Sequence, residues 1–208
     1  MHRNYPFISD QVNSMDDFMI KRFGSGEKEL RLYLLPSPIE KNAVGMVECD
    51  LFPARIALAV DPRPEDERNY DYACLTYVKG RDVGTVYMDD CVYQGLKSNG
   101  NMERMIILHE IGHFFYHHQV NKATSTSRTD QVRLDAIHNG KIYDDEKQAD
   151  EFAAGYIGFR AAADGLEQLK QKSAAKYGKG EYDPDEVALS IRELELRIRH
   201  LRQLESSE

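Results

Sequence analysis

Residues 108–118 read LHEIGHFFYHH, and this stretch decides how the rest of the chain is interpreted. Around it, from about residue 101 to 120, apolar residues recur at steps of three and four, as a largely buried helix requires. On such a helix His109 and His113 project from the same face, about 6 Å apart along the axis. Two histidines in this arrangement can bind one zinc ion.

Glu110 follows the first histidine directly. It cannot join the two histidines as a ligand, but it can reach a water molecule in an open coordination position, so we predict that it is the general base. The structural alternative is a pair of satisfied core histidines, but burying a carboxylate between two imidazoles without a metal would be costly. His117 continues the four-residue spacing, yet it lies about 12 Å along the helix from His109, too far to bind the same ion.

A catalytic zinc site needs a third protein ligand and leaves its fourth position to water. A third histidine ten residues after the first would be typical of metzincins, but that position is Gln119, and Tyr116 stands where their glycine is expected. The metzincin pattern is therefore excluded. A polar stretch from 121 to 145 is predicted as a long connection that leads to a second helix.

This second predicted helix, from about residue 146 to 163, begins with EKQADEFAAG. Glu146 and Asp150 share one face of it, and the small residues Ala149 and Ala153 on that face let two helices approach closely. We predict Glu146 as the third ligand and Asp150 as the acceptor for a ring N–H of a zinc-bound histidine. The helix dipole alone also favours an acid at the first position, and Asp150 has the alternative of a simple surface acid.

The two motifs, at 108–118 and 146–155, together resemble the glutamate-ligand zincins, and more narrowly the ImmA/IrrE family of metallopeptidases. TVYMDD at 85–90 is similar to the strand that precedes the metal helix in that family, with a short connection between them. The resemblance covers about residues 85–160 and includes no counterpart of the predicted helix at 184–204. It implies a zinc-dependent endopeptidase that acts on an intracellular protein, for example a helix-turn-helix repressor of a mobile element or stress regulon.

The chemistry expected of these residues is hydrolysis with one Zn²⁺ per chain. Zinc lowers the pKa of its bound water to about 7, Glu110 takes the proton, and the resulting hydroxide attacks a carbonyl that the metal polarises. Glu110 then protonates the leaving amine. The residue that stabilises the oxyanion stays open among five neighbours in sequence. These candidates are Tyr116, His117, His118, Tyr143 and Tyr156.

Two other functions remain possible on the same scaffold. One is a non-catalytic or weakly catalytic binding protein, such as an antirepressor or a toxin–antitoxin component. Glu110 argues against it, because a purely structural metal site needs no base and usually fills all four positions with protein ligands. The other is hydrolysis of a non-peptide amide, which uses the same metal and water chemistry. Two imidazoles and one carboxylate with an open position favour zinc over manganese.

The first half of the chain alternates short apolar segments with turn signals, which predicts a small curled sheet built from hairpins. The predicted strands are 31–35, 55–60, 74–78 and 85–88, and a weakly patterned helix is expected near 9–22. We expect an α+β, zincin-like fold, in which a small, mostly antiparallel sheet packs on the HExxH helix and the glutamate-bearing helix, with an extra C-terminal helix.

The C-terminal segment begins with Asp183-Pro184-Asp185-Glu186, which combines a cap, a proline at the first helical position and early acids. A helix from 184 to about 204 is predicted, with an apolar seam at heptad spacing. The seam residues are Val187, Ile191, Leu194, Ile198 and Leu201. We predict a metallopeptidase domain over 1–178 and an amphipathic helix over 179–208. Docking on its own domain is favoured, and homodimerisation through 187–204 is the alternative.

Composition narrows the class of protein. The 208 residues carry a formal net charge of −8, which would repel a phosphate backbone, so direct nucleic-acid binding is not expected. No apolar run approaches the roughly 20 residues of a membrane span, and the start MHRNYPFISDQ lacks the layout of a signal peptide. The three scattered cysteines form no Cys-x-x-Cys pair. We therefore expect a cytoplasmic protein with no membrane partner.

Overall fold

The computed structural model describes residues 18–24, 29–39, 42–49, 55–64, 67, 72–77, 83–116, 126–177 and 183–207. The chain divides into two compact units, residues 1–99 and residues 100–208. In the described parts, the first unit contains six strands and one helix, and the second contains five helices. The expected α+β class is confirmed.

The first unit is built on one sheet. Its strands are β1 (Met19–Phe23), β2 (Leu30–Leu34), β3 (Ala43–Cys49), β4 (Arg55–Val60), β5 (Ala73–Tyr77) and β6 (Val83–Met88). They lie in the order β1-β2-β3-β4-β6-β5. All neighbouring pairs are antiparallel except β4 and β6, which are parallel. A mostly antiparallel sheet was predicted, and the structure confirms it.

The pattern of burial along each strand explains which strands could be predicted from the sequence. Along β6 buried and half-buried residues alternate, so the period of two is visible in the sequence. β3 was not predicted, because nearly all of its residues are buried and its register shifts between Ala43 and Gly45. Gly45 is needed there, since a Cβ would lie 2.1 Å from the carbonyl oxygen of Tyr33.

Two expectations for the first half were wrong. Residues 19–22 of the helix expected near 9–22 belong to strand β1, which pairs with β2, while residues 9–17 lie outside the described part of the chain. The strand at 85–88 does not connect directly to the metal helix. A helix, α1 (Asp90–Lys97), lies between them in sequence and ends just before the start of the second unit.

The second unit is helical. Its helices are α2 (Asn101–Phe115), α3 (Thr126–His138), α4 (Asp144–Ile157), α5 (Phe159–Tyr177) and α6 (Pro184–Glu205). The stretch 121–145 is therefore not only a connection, because it carries α3. The helix predicted over 146–163 ends earlier, at Ile157, since Gly158 adopts a φ of 86° that breaks it. Within the described residues, none of the helices has the length and hydrophobicity needed to cross a bilayer.

Helix α6 begins and ends close to the predicted positions. Asp183 caps it, with its side chain accepting a hydrogen bond of 2.8 Å from the backbone N–H of Asp185. Of the heptad seam, Leu194, Ile198 and Leu201 are buried within the helical unit, where α6 packs mainly on α5. The predicted boundary at 178/179 and the homodimer through 187–204 stay predictions.

Candidate metal centre

Helix α2 places both histidines of the HExxH motif in the interior of the helical unit. His109 and His113 are both buried, and their rings meet edge to face with centroids 4.5 Å apart. Their Nε2 atoms are 3.0 Å apart. Glu110 projects from the same helix but stays partly exposed. The helix thus presents two imidazole nitrogens to one point, and the adjacent residue Glu110 is less buried than the two histidines.

Helix α4 brings Glu146 to the same point. Oε2 of Glu146 lies 3.3 Å from Nε2 of His109, and Oε1 lies 3.7 Å from Nε2 of His113. The three ligand atoms lie within 4.8 Å of one another and all three residues are buried. His109, His113 and Glu146, called the ligand group below, could therefore hold a metal ion. Their convergence agrees with the prediction from the two motifs.

The close approach of α2 and α4 depends on small residues. Ala149 and Ala153 are fully buried on the face of α4 that carries Glu146. On α2, a Cβ at Gly112 would lie 3.0 Å from Cα of Ala149, so a side chain larger than hydrogen would push the helices apart. The glycine inside HEIGH and the alanines downstream thus set the distance between the histidines and the carboxylate.

Asp150 lies where the sequence placed it, behind the first histidine. Its Oδ1 is 2.8 Å from Nδ1 of His109, and its side chain is fully buried. Because an ionised carboxylate only accepts hydrogen bonds, Nδ1 must carry the proton. Nε2 of His109 is then the nitrogen left to bind a metal ion.

Arg197 of α6 completes this arrangement, and sequence reasoning missed it. Its Nε and Nη2 donate to the two carboxylate oxygens of Asp150 at 2.7 and 2.6 Å, and its Nη1 lies 3.2 Å from Oε2 of Glu146. The side chain is buried. A signal did exist, since Arg197 is three residues after Leu194 and four before Leu201, on the apolar face of the helix.

A second arginine reaches the ligand group from α3. Arg133 donates from Nε and Nη2 to the two oxygens of Glu193 at 2.8 and 2.7 Å, and its Nη1 lies 3.6 Å from Oε1 of Glu146. Glu193 is a buried residue of α6, one turn before Arg197. Sequence reasoning missed this pair too, because Arg133 lies in a stretch interpreted as a connection. Arg133, Asp150, Glu193 and Arg197 are called the ionic cluster below.

The ionic cluster shifts the protonation of the ligand group. Burial and the charge of Arg197 lower the pKa of His109, but hydrogen bonds to Asp150 and Glu146 outweigh them and raise it to about 9 in the metal-free chain. Burial disfavours ionisation of Glu146, yet the hydrogen bond from His109 and the charge of Arg197 hold the pKa of Glu146 well below its usual value. For Asp150, the same balance of burial against Arg197 lowers the pKa. Glu146 and Asp150 are therefore ionised at neutral pH.

The five residues named as oxyanion donors have different positions. His117 and His118 lie outside the described residues. Tyr116 and Tyr156 pack their rings near Phe152, with centroid distances of 6.3 and 5.0 Å.

Tyr143 directly precedes α4, and the negative charge of Glu146 in the ligand group affects the pKa of its hydroxyl. Burial raises the pKa of its hydroxyl, and so do the charge and hydrogen bond of Asp145 and the charge of Glu146. A raised pKa keeps this hydroxyl protonated and able to donate. Tyr143 therefore remains a candidate donor.

Comparison with known proteins adds no identification. The chain matches no protein-family model, no curated protein and no solved structure. The resemblance to the ImmA/IrrE family consequently rests on the two motifs alone and stays a prediction. Any inference about function therefore rests on the arrangement of the ligand group and the ionic cluster.

Proposed function

We propose that this chain is a zinc-dependent endopeptidase whose metal is held by His109, His113 and Glu146, with Glu110 as the general base. The observation that carries the proposal is the convergence of three buried ligand atoms, with the partly exposed residue Glu110 next to His109 on the same helix. A structural zinc site usually has four protein ligands, whereas three ligands and an adjacent base are typical of a hydrolytic site.

The spacing of the ligand atoms supports zinc. A tetrahedral ion with bonds of about 2.05 Å requires ligand atoms about 3.3 Å apart. The two Nε2 atoms are 3.0 Å apart, and the Glu146 oxygens are 3.3 and 3.7 Å from them. These separations are close to the required value, but the two carboxylate distances involve different oxygens, so the Glu146 side chain would rotate to bring one oxygen to the ion.

Charge supports a bound cation as well. The carboxylates of Glu146, Asp150 and Glu193 face the two arginines of the ionic cluster. With neutral histidines, these three carboxylates exceed the two arginines by one negative charge, which a bound metal ion would compensate. Burial makes this compensation strong, because the ligand group is shielded from water.

The mechanism assigns a separate task to each side chain. A bound zinc ion would lower the pKa of a water molecule to about 7 and polarise a peptide carbonyl. Glu110 would accept a proton from the attacking water and donate it to the amine nitrogen as the peptide C–N bond breaks. Asp150 keeps the proton of His109 on Nδ1, and Arg197 fixes Asp150 through two hydrogen bonds.

The finer parts of the proposal rest on the resemblance to the ImmA/IrrE family. It supports a zincin-like arrangement of the α+β fold, a cytoplasmic location and an intracellular protein substrate such as a DNA-binding repressor. The rival function is a binding protein that holds such a partner without cleaving it. Both functions use the same ligand group, so only a test of Glu110 separates them.

The test compares wild type with Glu110→Gln in the native cells, by mass-spectrometric mapping of new protein N-termini. Glutamine cannot accept the proton, so we expect a loss of cleavage of about 10²-fold or more while one zinc per chain is retained. Glu103→Gln is the matched control, because Glu103 lies on the same helix and pairs with Lys172 instead. It should cleave like wild type.

Two results would contradict peptidase activity. One is an identical set of N-termini in wild type and Glu110→Gln cells. The other is a Glu110→Gln protein that keeps zinc and full biological activity, which would identify a binding protein. Products lacking new peptide termini but showing amide hydrolysis of small molecules would point to a non-peptide amidase.

A further inference from the structure

Arg133 is held in one orientation by a buried carboxylate. Two of its nitrogens, Nε and Nη2, donate to the two oxygens of Glu193 at 2.8 and 2.7 Å. Such a two-pronged pair fixes the plane of the guanidinium as well as its position. Glu193 is 6% exposed, so the anchor itself is rigidly placed in the helical unit.

The third nitrogen of Arg133 points to the ligand group. Nη1 lies 3.6 Å from Oε1 of Glu146, which in turn is 3.7 Å from Nε2 of His113. A separation of 3.6 Å is too long for a good hydrogen bond, so this nitrogen keeps donor capacity for another acceptor. It therefore borders the place where a metal ion would sit.

The two arginines of the ionic cluster differ in exposure. The side chain of Arg197 is 8% exposed, and its three nitrogens already face Asp150 and Glu146. The side chain of Arg133 is 39% exposed. Of the two arginines, Arg133 is consequently the one whose side chain a ligand entering from solvent can contact.

We propose that Arg133 is a catalytic residue that donates from Nη1 to the substrate carbonyl oxygen as this oxygen becomes negatively charged. Glu193 is the positioning residue that aims it. The inference rests on the proposed peptidase function and answers which group stabilises the oxyanion. A cation whose orientation is fixed before the substrate binds is well suited to this task, and a donor of this kind contributes about 10²- to 10³-fold to kcat.

The experiment uses the zinc-loaded full chain and two small probes, measured by calorimetric titration. Inorganic phosphate is a tetrahedral oxyanion, whereas imidazole is a neutral metal ligand. Arg133→Met should weaken phosphate binding about 10- to 100-fold, which corresponds to one hydrogen bond to a charged group. Binding of imidazole should change less than about twofold, and one zinc per chain should remain.

Three further variants separate the roles. Arg133→Lys keeps the positive charge but loses the paired N–H donors of the guanidinium, so its phosphate affinity should lie between those of Arg133→Met and wild type. Glu193→Gln should weaken phosphate binding less than Arg133→Met does, because the Arg133 guanidinium remains but its orientation is less restricted. Arg192→Ala is the matched control. Arg192 is an exposed arginine of α6 that reaches the carbonyl oxygen of His138 on α3, away from the ligand group. It should bind both probes like wild type.

Several results would overturn the assignment. Unchanged phosphate binding by a zinc-loaded Arg133→Met protein would remove Arg133 from the mechanism and leave the proposed peptidase function intact. Loss of zinc in the same variant would make Arg133 a structural residue. Loss of phosphate binding in Tyr143→Phe but not in Arg133→Met would assign the role to Tyr143. A wild-type chain that binds no zinc would instead refute the proposed function, which makes the two failures distinguishable.

Discussion

The sheet unit and the helical unit bury different kinds of side chain. The core of the sheet unit is almost entirely apolar, as shown by Leu30, Leu34 and Leu58, which are fully buried. Among its described residues, the buried charged side chain is Asp61, which pairs with the neighbouring Arg63. The helical unit instead buries histidines, carboxylates and an arginine at one point, in the ligand group and the ionic cluster.

This difference in buried side chains indicates that the sheet unit buries residues for stability, whereas the helical unit buries charges for function. Apolar burial contributes roughly 25 cal/mol per Å² to folding, whereas a buried ion pair often contributes no more than well-packed hydrophobic residues would. The charges of the helical unit are therefore poorly explained by stability alone. A group of ionisable residues whose pKa values are shifted by specific partners is a candidate functional site.

The largest expected effect comes from removing the buried cation. Arg197→Met leaves Asp150 and Glu146 without their main compensating charge, so the zinc-free protein should lose about 3–5 kcal/mol of unfolding free energy. Zinc compensates the charge of Glu146, so the loss should be smaller in the zinc-loaded protein. Urea unfolding with and without zinc measures both values.

Two controls sharpen this contrast. Leu58→Ala in β4 should cost about 2–5 kcal/mol, by the same amount with and without zinc, because it removes apolar packing in the sheet unit. Arg199→Met, at an exposed position of α6, should change stability by no more than about 0.5 kcal/mol. Equal losses for Arg197→Met with and without zinc would contradict the link between the ionic cluster and the metal.

A smaller effect is expected where α2 and α4 meet. In Gly112→Ala the new methyl group would lie 3.0 Å from Cα of Ala149 and 3.1 Å from Cβ of Phe152, so the helices must separate slightly. We expect a loss of about 1–3 kcal/mol and weaker zinc binding, since Glu146 moves with α4. Thermal unfolding and zinc titration measure the two effects.

Gly155→Ala is the matched control for this substitution. It lies on the same helix as Ala149, and a Cβ there meets nothing within 4 Å. Because alanine favours a helix over glycine by about 1 kcal/mol, this variant should be stabilised. If both variants were stabilised, the close approach would not limit the position of Glu146.

The smallest effect, about tenfold in zinc affinity per pH unit, follows from His109. Burial and Arg197 lower its pKa, but Asp150 and Glu146 raise it to about 9, so His109 is protonated at pH 7 without metal. Zinc must displace that proton, and its affinity should rise between pH 7 and 9 and then level off. Calorimetry in buffers of different ionisation enthalpy should detect about one proton released per zinc at pH 7.

The raised pKa of His109 also makes the stability of the zinc-free protein depend on pH. Because the pKa of His109 is raised from 6.5 to about 9, its contribution to the stability of the zinc-free protein is complete below pH 6.5. That contribution should be lost as pH rises through about 9. Release of clearly less than one proton per zinc at pH 7 would show that His109 is already neutral and would contradict its raised pKa.

The sequence predicted the parts of the site that depend on local spacing. His109 and His113 are four residues apart on one helix, as are Glu146 and Asp150, so their faces follow from helix geometry alone. The strands β4 and β6 were likewise visible as short apolar segments. Local patterns of this kind require no knowledge of which elements pack together.

The missed features depend on tertiary structure. Arg133 and Arg197 reach Glu146 from two other helices, α3 and α6, and Glu193 binds Arg133, whereas charged residues on a helix are usually solvated. Strand β3 was missed because its nearly continuous burial hides the period of two. Helix α3 is polar enough to resemble a connection in the sequence. Its contacts with the rest of the helical unit, through Arg133 to Glu146 and Glu193, are visible only in the structure.

The most direct test of the central claim is the zinc content of purified protein by mass spectrometry. Wild type, His113→Ala and Glu146→Ala are compared, with Lys147→Ala as a control next to Glu146. The account predicts one zinc per chain in wild type and control, and little or none in the two ligand variants. A wild-type chain that stays metal-free in zinc-containing buffer would contradict it, and the buried ligand group would then belong to a binding protein without catalytic metal.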